Sequence, residues 1–130
     1  IRSSTGQLTW DYGSKVVTVH SEKTQGVIGF AGGGTFDLPG VTVRIGRTPF
    51  ASLLFTPLDN RPLVESGHIL ITAMAQDKQL GSVYNEDGPK LIEPGGPPLL
   101  LEPVQATLTF KGAPLSSVNV VDVYGVPTAR

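Results

Sequence analysis

Apolar residues recur at every second position along this chain, in short runs separated by glycine, proline and polar clusters, and that is the period of strands rather than helices. The clearest run is "GVTVRIG", which predicts Val41, Val43 and Ile45 facing inward with Thr42 and Arg44 outward. "QLTWDYG" places Leu8, Trp10 and Tyr12 on one face against Thr9 and Asp11, and "KVVTVHS" places Val17 and Val19 against Val16, Thr18 and His20. The two runs predict a hairpin around a tight, glycine-containing turn. "QGVIGFAGGGTFDL" supplies two apolar runs about the glycines at 32–34, and "VQATLTFKG" alternates Val104, Ala106, Leu108 and Phe110 against Gln105, Thr107, Thr109 and Lys111.

Other stretches are less regular. "PFASLLFTPLD" and "HILITAMA" are almost continuously apolar, which predicts central strands covered by the core on one face and by loops on the other, with "DNRP" as a turn between them. "SVNVVDVYG" is read as a closing strand, and only "PLVESGHIL" has room for one turn of helix. In "EPGGPPLLLEP" the prolines cannot donate to a ladder, so Glu93 to Pro98 is expected as a rigid surface connection and Leu99 to Leu101 as a short edge segment. Phe30, Phe36, Phe50, Phe55 and Phe110 carry no polar handle and are expected in the core. Together these signals predict an all-β fold, an antiparallel β-sandwich or jelly-roll of eight or nine strands. The chain of 130 residues fits a single module, 1–130, and its first residue is not Met, so a module excised from a longer multidomain enzyme is expected.

Composition narrows the chemistry. Without cysteine there is neither a disulfide framework nor a thiolate nucleophile or metal ligand. Ten Lys plus Arg balance eleven Asp plus Glu, and the basic residues are dispersed from Arg2 to Arg130, whereas a phosphate-binding surface gathers them on one face. No apolar stretch approaches the roughly 18 residues that span a bilayer. Neither nucleic acid nor membrane is therefore an expected partner. No Gly-x-Ser-x-Gly elbow, P-loop or HExxH is present, His20 and His68 are isolated, and "GFAGGG" lacks a following helix to present amides to a phosphate. The carboxylates Asp11, Asp37, Glu86, Asp87, Glu93 and Glu102 are no more numerous than in any chain of this size. Asp59, Asn60, Glu86 and Asp87 offer oxygen ligands but not the dense spacing of a calcium loop. The chain is read as a non-enzyme with no catalytic residue, no metal and no cofactor.

Aromatic stacking is the better prospect. Sugar rings present C–H faces that stack on Trp and Tyr, while their hydroxyls pair with Asn, Asp, Glu and Gln. Tyr84, Asn85, Glu86 and Asp87 in "GSVYNEDGPK", with Gln79 upstream, meet that requirement locally, and Trp10 and Tyr12 form a second candidate platform.

The segments "TGQLTWDYGSKVVTVHSEKTQGVIGF" and "FASLLFTPLDNRPLVESGHILITAMAQ", with the "YNEDG" loop, resemble a β-sandwich region of large bacterial polysaccharide-degrading enzymes, where it accompanies a (β/α)₈ glycoside hydrolase domain. The resemblance runs in order from about Gly6 to about Val126. It implies a non-catalytic ancillary module, secreted and carbohydrate-binding-module-like, that targets an attached glycoside hydrolase to a plant-type polysaccharide such as a β-glucan. The alternative it leaves open is a structural sandwich that packs on the hydrolase barrel and binds no sugar. This sequence departs from the resemblance at Tyr84, where tryptophan is expected before Asn85, Glu86 and Asp87, so the stacking face there is smaller.

Overall fold

The computed structural model describes residues 1–86 and 90–128. The fold is all-β, with every strand pair antiparallel. One sheet has five strands in the order β1 (Leu8–Asp11), β2 (Val16–His20), β3 (Gln25–Gly29), β6 (Ala51–Pro57) and β7 (Ile69–Met74). A second has three, in the order β12 (Ala106–Phe110), β5 (Val41–Ile45) and β4 (Thr35–Asp37). The chain crosses from the first sheet to the second after β3, returns for β6 and β7, and comes back with β12, in the manner of a sandwich.

Alternation decides what is buried. On β5, Val41, Val43 and Ile45 are fully enclosed while Arg44 is exposed, as the sequence predicts. On β6, Ala51, Leu53 and Phe55 point into the same core, joined by Val27 of β3 and Val16 of β2. Phe55 of the large sheet meets Phe110 of the small one edge to face, with centroids 5.8 Å apart, so an aromatic pair ties the two layers. Gln25 is the one buried long polar side chain among the described residues, and its Oε1 accepts a hydrogen bond from Gly40 N at 2.8 Å, which satisfies it and pins the β4–β5 turn to the large sheet.

The β1–β2 hairpin forms as expected, with Trp10 opposite Val17 and Leu8 opposite Val19. Its turn is not made by glycine geometry. Lys15 takes the left-handed conformation, φ 57°, and the Asp11 carboxylate accepts hydrogen bonds from Gly13 N, Ser14 N and Ser14 Oγ, so an aspartate cap shapes the turn. Gly29 is where glycine is required: φ is +135°, and a Cβ there would lie 2.2 Å from the Lys15 carbonyl oxygen. One 3₁₀ turn, Leu63–Glu65, occupies the only stretch with room for helix, and Leu63 inserts into the core.

Several expectations are corrected. β7 is an edge strand rather than a central one, and the outer face of β6 carries half-buried Ser52, Leu54 and Thr56. Phe30 is half exposed, packed edge to face on Phe50 with the Lys15 ammonium 5.7 Å from its ring centre, so it lies at a corner of the molecule instead of in its core. "SVNVVDVYG" forms no strand; it is exposed and, apart from a single bridge between Val121 and Pro127, ends in a turn in which the Asp122 carboxylate accepts from Tyr124 N and Val126 N. Residues 77–86 and 90–101 form a long ribbon in which β8 (Asp77–Leu80) pairs β11 (Gly96–Leu101), and β9 (Val83–Tyr84) pairs β10 (Leu91–Glu93). The Glu93–Pro98 stretch is thus partly laddered, and the register shift between Gly96 and Leu99 skips Pro97 and Pro98, which have no N–H to offer. This broken ribbon raises the strand segments to twelve among the described residues, above the expected eight or nine.

Candidate functional site

Trp10 and Tyr12 stand together at the outer flank of the large sheet. Trp10 is held from both sides of its strand: it pairs with Val17 of β2, its N–H donates to the Ile1 carbonyl, and its carbonyl accepts from the Ile1 ammonium. Tyr12 follows in the Asp11 turn, and its ring folds back on Trp10 with centroids 4.2 Å apart and planes at 41°. The rings remain 47 % and 54 % exposed. Asp11 itself does not face a ligand. Its hydrogen bonds from Ser14 and Gly13 hold its carboxyl below the usual aspartate range, and both oxygens are occupied within the turn.

Along the outer face, Trp10 begins a row that runs through Val17, Ile28 and Ser52 to Met74, and Leu8 begins a parallel row through Val19, Gly26 and Leu54 to Thr72. The face is mostly apolar and carries no charged residue in either row, where a solvated sheet would alternate polar side chains.

The second predicted group lies elsewhere. Tyr84 pairs with Leu91 near the end of the ribbon and is 47 % exposed. Asn85 closes the tip: its backbone N–H donates to the Lys90 carbonyl and its Oδ1 accepts from Lys90 N. Glu86 is exposed, and Gln79 is exposed on β8 opposite Leu99. Asp87 lies outside the described residues. The ribbon follows β7 in the chain as separate two-stranded ladders, and among the described residues the Tyr84 ring pairs with neither Trp10 nor Tyr12. Trp10 and Tyr12 thus form one exposed ring pair and Tyr84 stands apart from it, while Phe30 and Tyr124 are exposed too.

Asp37 and Asp59, like Asp11, are committed locally. Asp37 accepts from Thr42 Oγ1 at 2.7 Å and is paired with Lys111 at the same distance, and these contacts lower its pKa. Asp59 is taken by Ser66 Oγ, Gly67 N and Arg61 N, again with a lowered pKa, and Asn60 is bonded by Lys23. Among the described residues no three of His, Asp and Glu gather as a metal site would require. Nor is any helix long and apolar enough to cross a membrane.

Sequence reasoning missed the ribbon as a feature in its own right. Leu99 and Leu101 point to one face and Leu80 and Leu100 to the other, and all four are exposed. The signal was the unbroken "LLL", which cannot be one-sided in a strand. Compared with protein-family models, with curated proteins and with solved structures, the chain matches none.

Proposed function

We propose that this chain is a non-catalytic, jelly-roll-like carbohydrate-binding module that holds an attached glycoside hydrolase against a plant-type polysaccharide such as a β-glucan, in an extracellular setting. The observation that carries this reading is the water-facing Trp10–Tyr12 pair on a rigid sheet flank. Ring faces of this kind stack on the C–H faces of sugars, and a module tethered to an enzyme raises the local substrate concentration without any chemistry of its own. Tyr84, with the Asn85 side-chain amide nitrogen beside it, supplies a second contact at the ribbon end. Affinity electrophoresis against β-glucans, mannans, xylans and pectins tests the reading. Retention by at least one polysaccharide is expected, weakened by ~1–3 kcal/mol in Trp10→Ala on the scale of ring stacking by aromatic side chains. Retention unchanged in that variant removes the platform.

A second reading is favoured by a different observation. The accessible surface is 9124 Å², against roughly 6,600 Å² expected for a compact monomer of this mass. Isolated two-stranded ribbons are marginal in water, and this one exposes leucine on both faces beside a mostly apolar outer sheet face. A structural sandwich that packs on a hydrolase barrel through the ribbon and binds no sugar accounts for that surface. It predicts that the polysaccharide panel retains nothing, and that a hydrophobic dye bound by the isolated chain is released in the double variant Leu99→Ser, Leu101→Ser.

A further inference from the structure

We infer that the Trp10–Tyr12 edge takes one neutral pyranose ring, a chain end or a side branch, rather than a run of consecutive sugars; the inference rests on the carbohydrate reading above. Two rings that lie side by side as a track for a sugar chain need centroids at or beyond the upper part of the ~4.5–7 Å range of aromatic pairs. Here the centroids are 4.2 Å apart and the planes are tilted by 41°, so the rings pack on each other as one compact platform instead of lying side by side in one plane. A pyranose is about as wide as one of these rings, and it covers the available face by itself.

Among the described residues no ring lies beside this pair to prolong it: Phe30, exposed near the same turn, is packed edge to face on Phe50 and has the Lys15 ammonium over its ring. The row that starts at Trp10 continues through Val17, Ile28, Ser52 and Met74, none of them aromatic, and among the described residues the Tyr84 ring pairs with neither Trp10 nor Tyr12. The polar groups present suit a single sugar. Among the described residues the Trp10 indole N–H and the Tyr12 hydroxyl have no protein partner and can meet the hydroxyls of the ring stacked beside them. Thr9 faces the other side of β1, and the Ser14 hydroxyl donates to Asp11. The Asp11 carboxylate lies one residue from each ring and the Ile1 ammonium sits on the Trp10 carbonyl, so charges of both signs flank the site. An ionised sugar gains no net attraction there while losing hydration on stacking, which disfavours uronic acids and sulfated sugars.

The lone tryptophan makes the site its own reporter. Tryptophan fluorescence of the whole chain is titrated with methyl β-glucoside, with β-linked gluco-oligosaccharides up to the hexamer, and with glucuronic acid, alongside retardation in polysaccharide gels. The expected result is a change already complete with the monosaccharide, an affinity for the hexamer within about threefold of it, and weaker binding of glucuronic acid. A hexamer bound tenfold or more tightly than the monosaccharide overturns the single-ring inference while leaving the carbohydrate reading in place. Glucuronic acid bound as well as glucoside overturns the neutral specificity. No fluorescence change with any sugar and no retardation overturn the carbohydrate reading itself.

Discussion

The stretch from Val16 to Leu63 and the ribbon of residues 77–86 and 90–101 are both rich in valine and leucine, yet only the first buries them. In the first, apolar residues alternate with polar ones and two sheets face each other, so each strand turns one face to the core. In the second, Leu99, Leu100 and Leu101 follow one another in a two-stranded ribbon that has no layer against either face. Hydrophobicity supplies the drive to bury surface; a facing layer is what turns that drive into a core.

The difference can be broken or sharpened by substitution. Phe55→Ala deletes a fully buried ring that spans both sheets, and urea unfolding is expected to show a loss of ~3–5 kcal/mol. A loss below about 1 kcal/mol, the size of a mild surface effect, would mean that this ring does not hold the layers together. Gly29→Ala forces a side chain against the Lys15 carbonyl in a backbone conformation that L residues rarely adopt, and a loss of about 1–3 kcal/mol is expected by the same measurement. In the ribbon, Leu99→Ala with Leu101→Ala should leave the stability of the isolated chain within about 0.5 kcal/mol. Amide exchange there should be faster than in β5 and β6 by orders of magnitude; equal protection in the two regions would erase the contrast.

The smallest effect is expected from acid. Asp37 has its pKa lowered by hydrogen bonds from Lys111 and Thr42, and Asp59 chiefly by Ser66. A carboxyl whose folded pKa lies below its ordinary value of 3.8 stabilises the fold fully above that value and loses the contribution as pH falls through the folded pKa. Both groups are open to solvent, so salt weakens the effect. Asp37→Asn should flatten the pH dependence of the unfolding temperature below pH ~3.8 and leave it unaltered at neutrality.

Much of the packed half was legible because its signals are local. Val41, Val43 and Ile45 announce their face through a period of two, and the Asp11 to Ser14 turn lies between two runs that can only fold back on each other. What periodicity reveals is a face, not a neighbour. Nothing in "VIG" or "ASLLF" says that β3 pairs with β6 across a crossover, and for the same reason β7 reads as a central strand although it lies at an edge. The tail after Phe110 fits a strand by composition, but among the described residues it joins neither sheet and pairs only with itself, in the Val121–Pro127 bridge. At the candidate site, composition picked out Trp10 and Tyr12 as a platform; the close packing of their rings depends on how the Asp11 turn folds Tyr12 back, which only coordinates reveal.

The first residues of the chain have a bearing on self-association. Leu8 and Trp10 are the positions of β1 whose backbone points away from β2, and all their N–H and C=O groups are taken by Ile1 and Ser3. That border of the large sheet is sealed, whereas along β7 no such clasp is formed among the described residues. Two molecules joined through β7 would each present a closed border outward, so association along this sheet stops at a pair and does not run on into a filament.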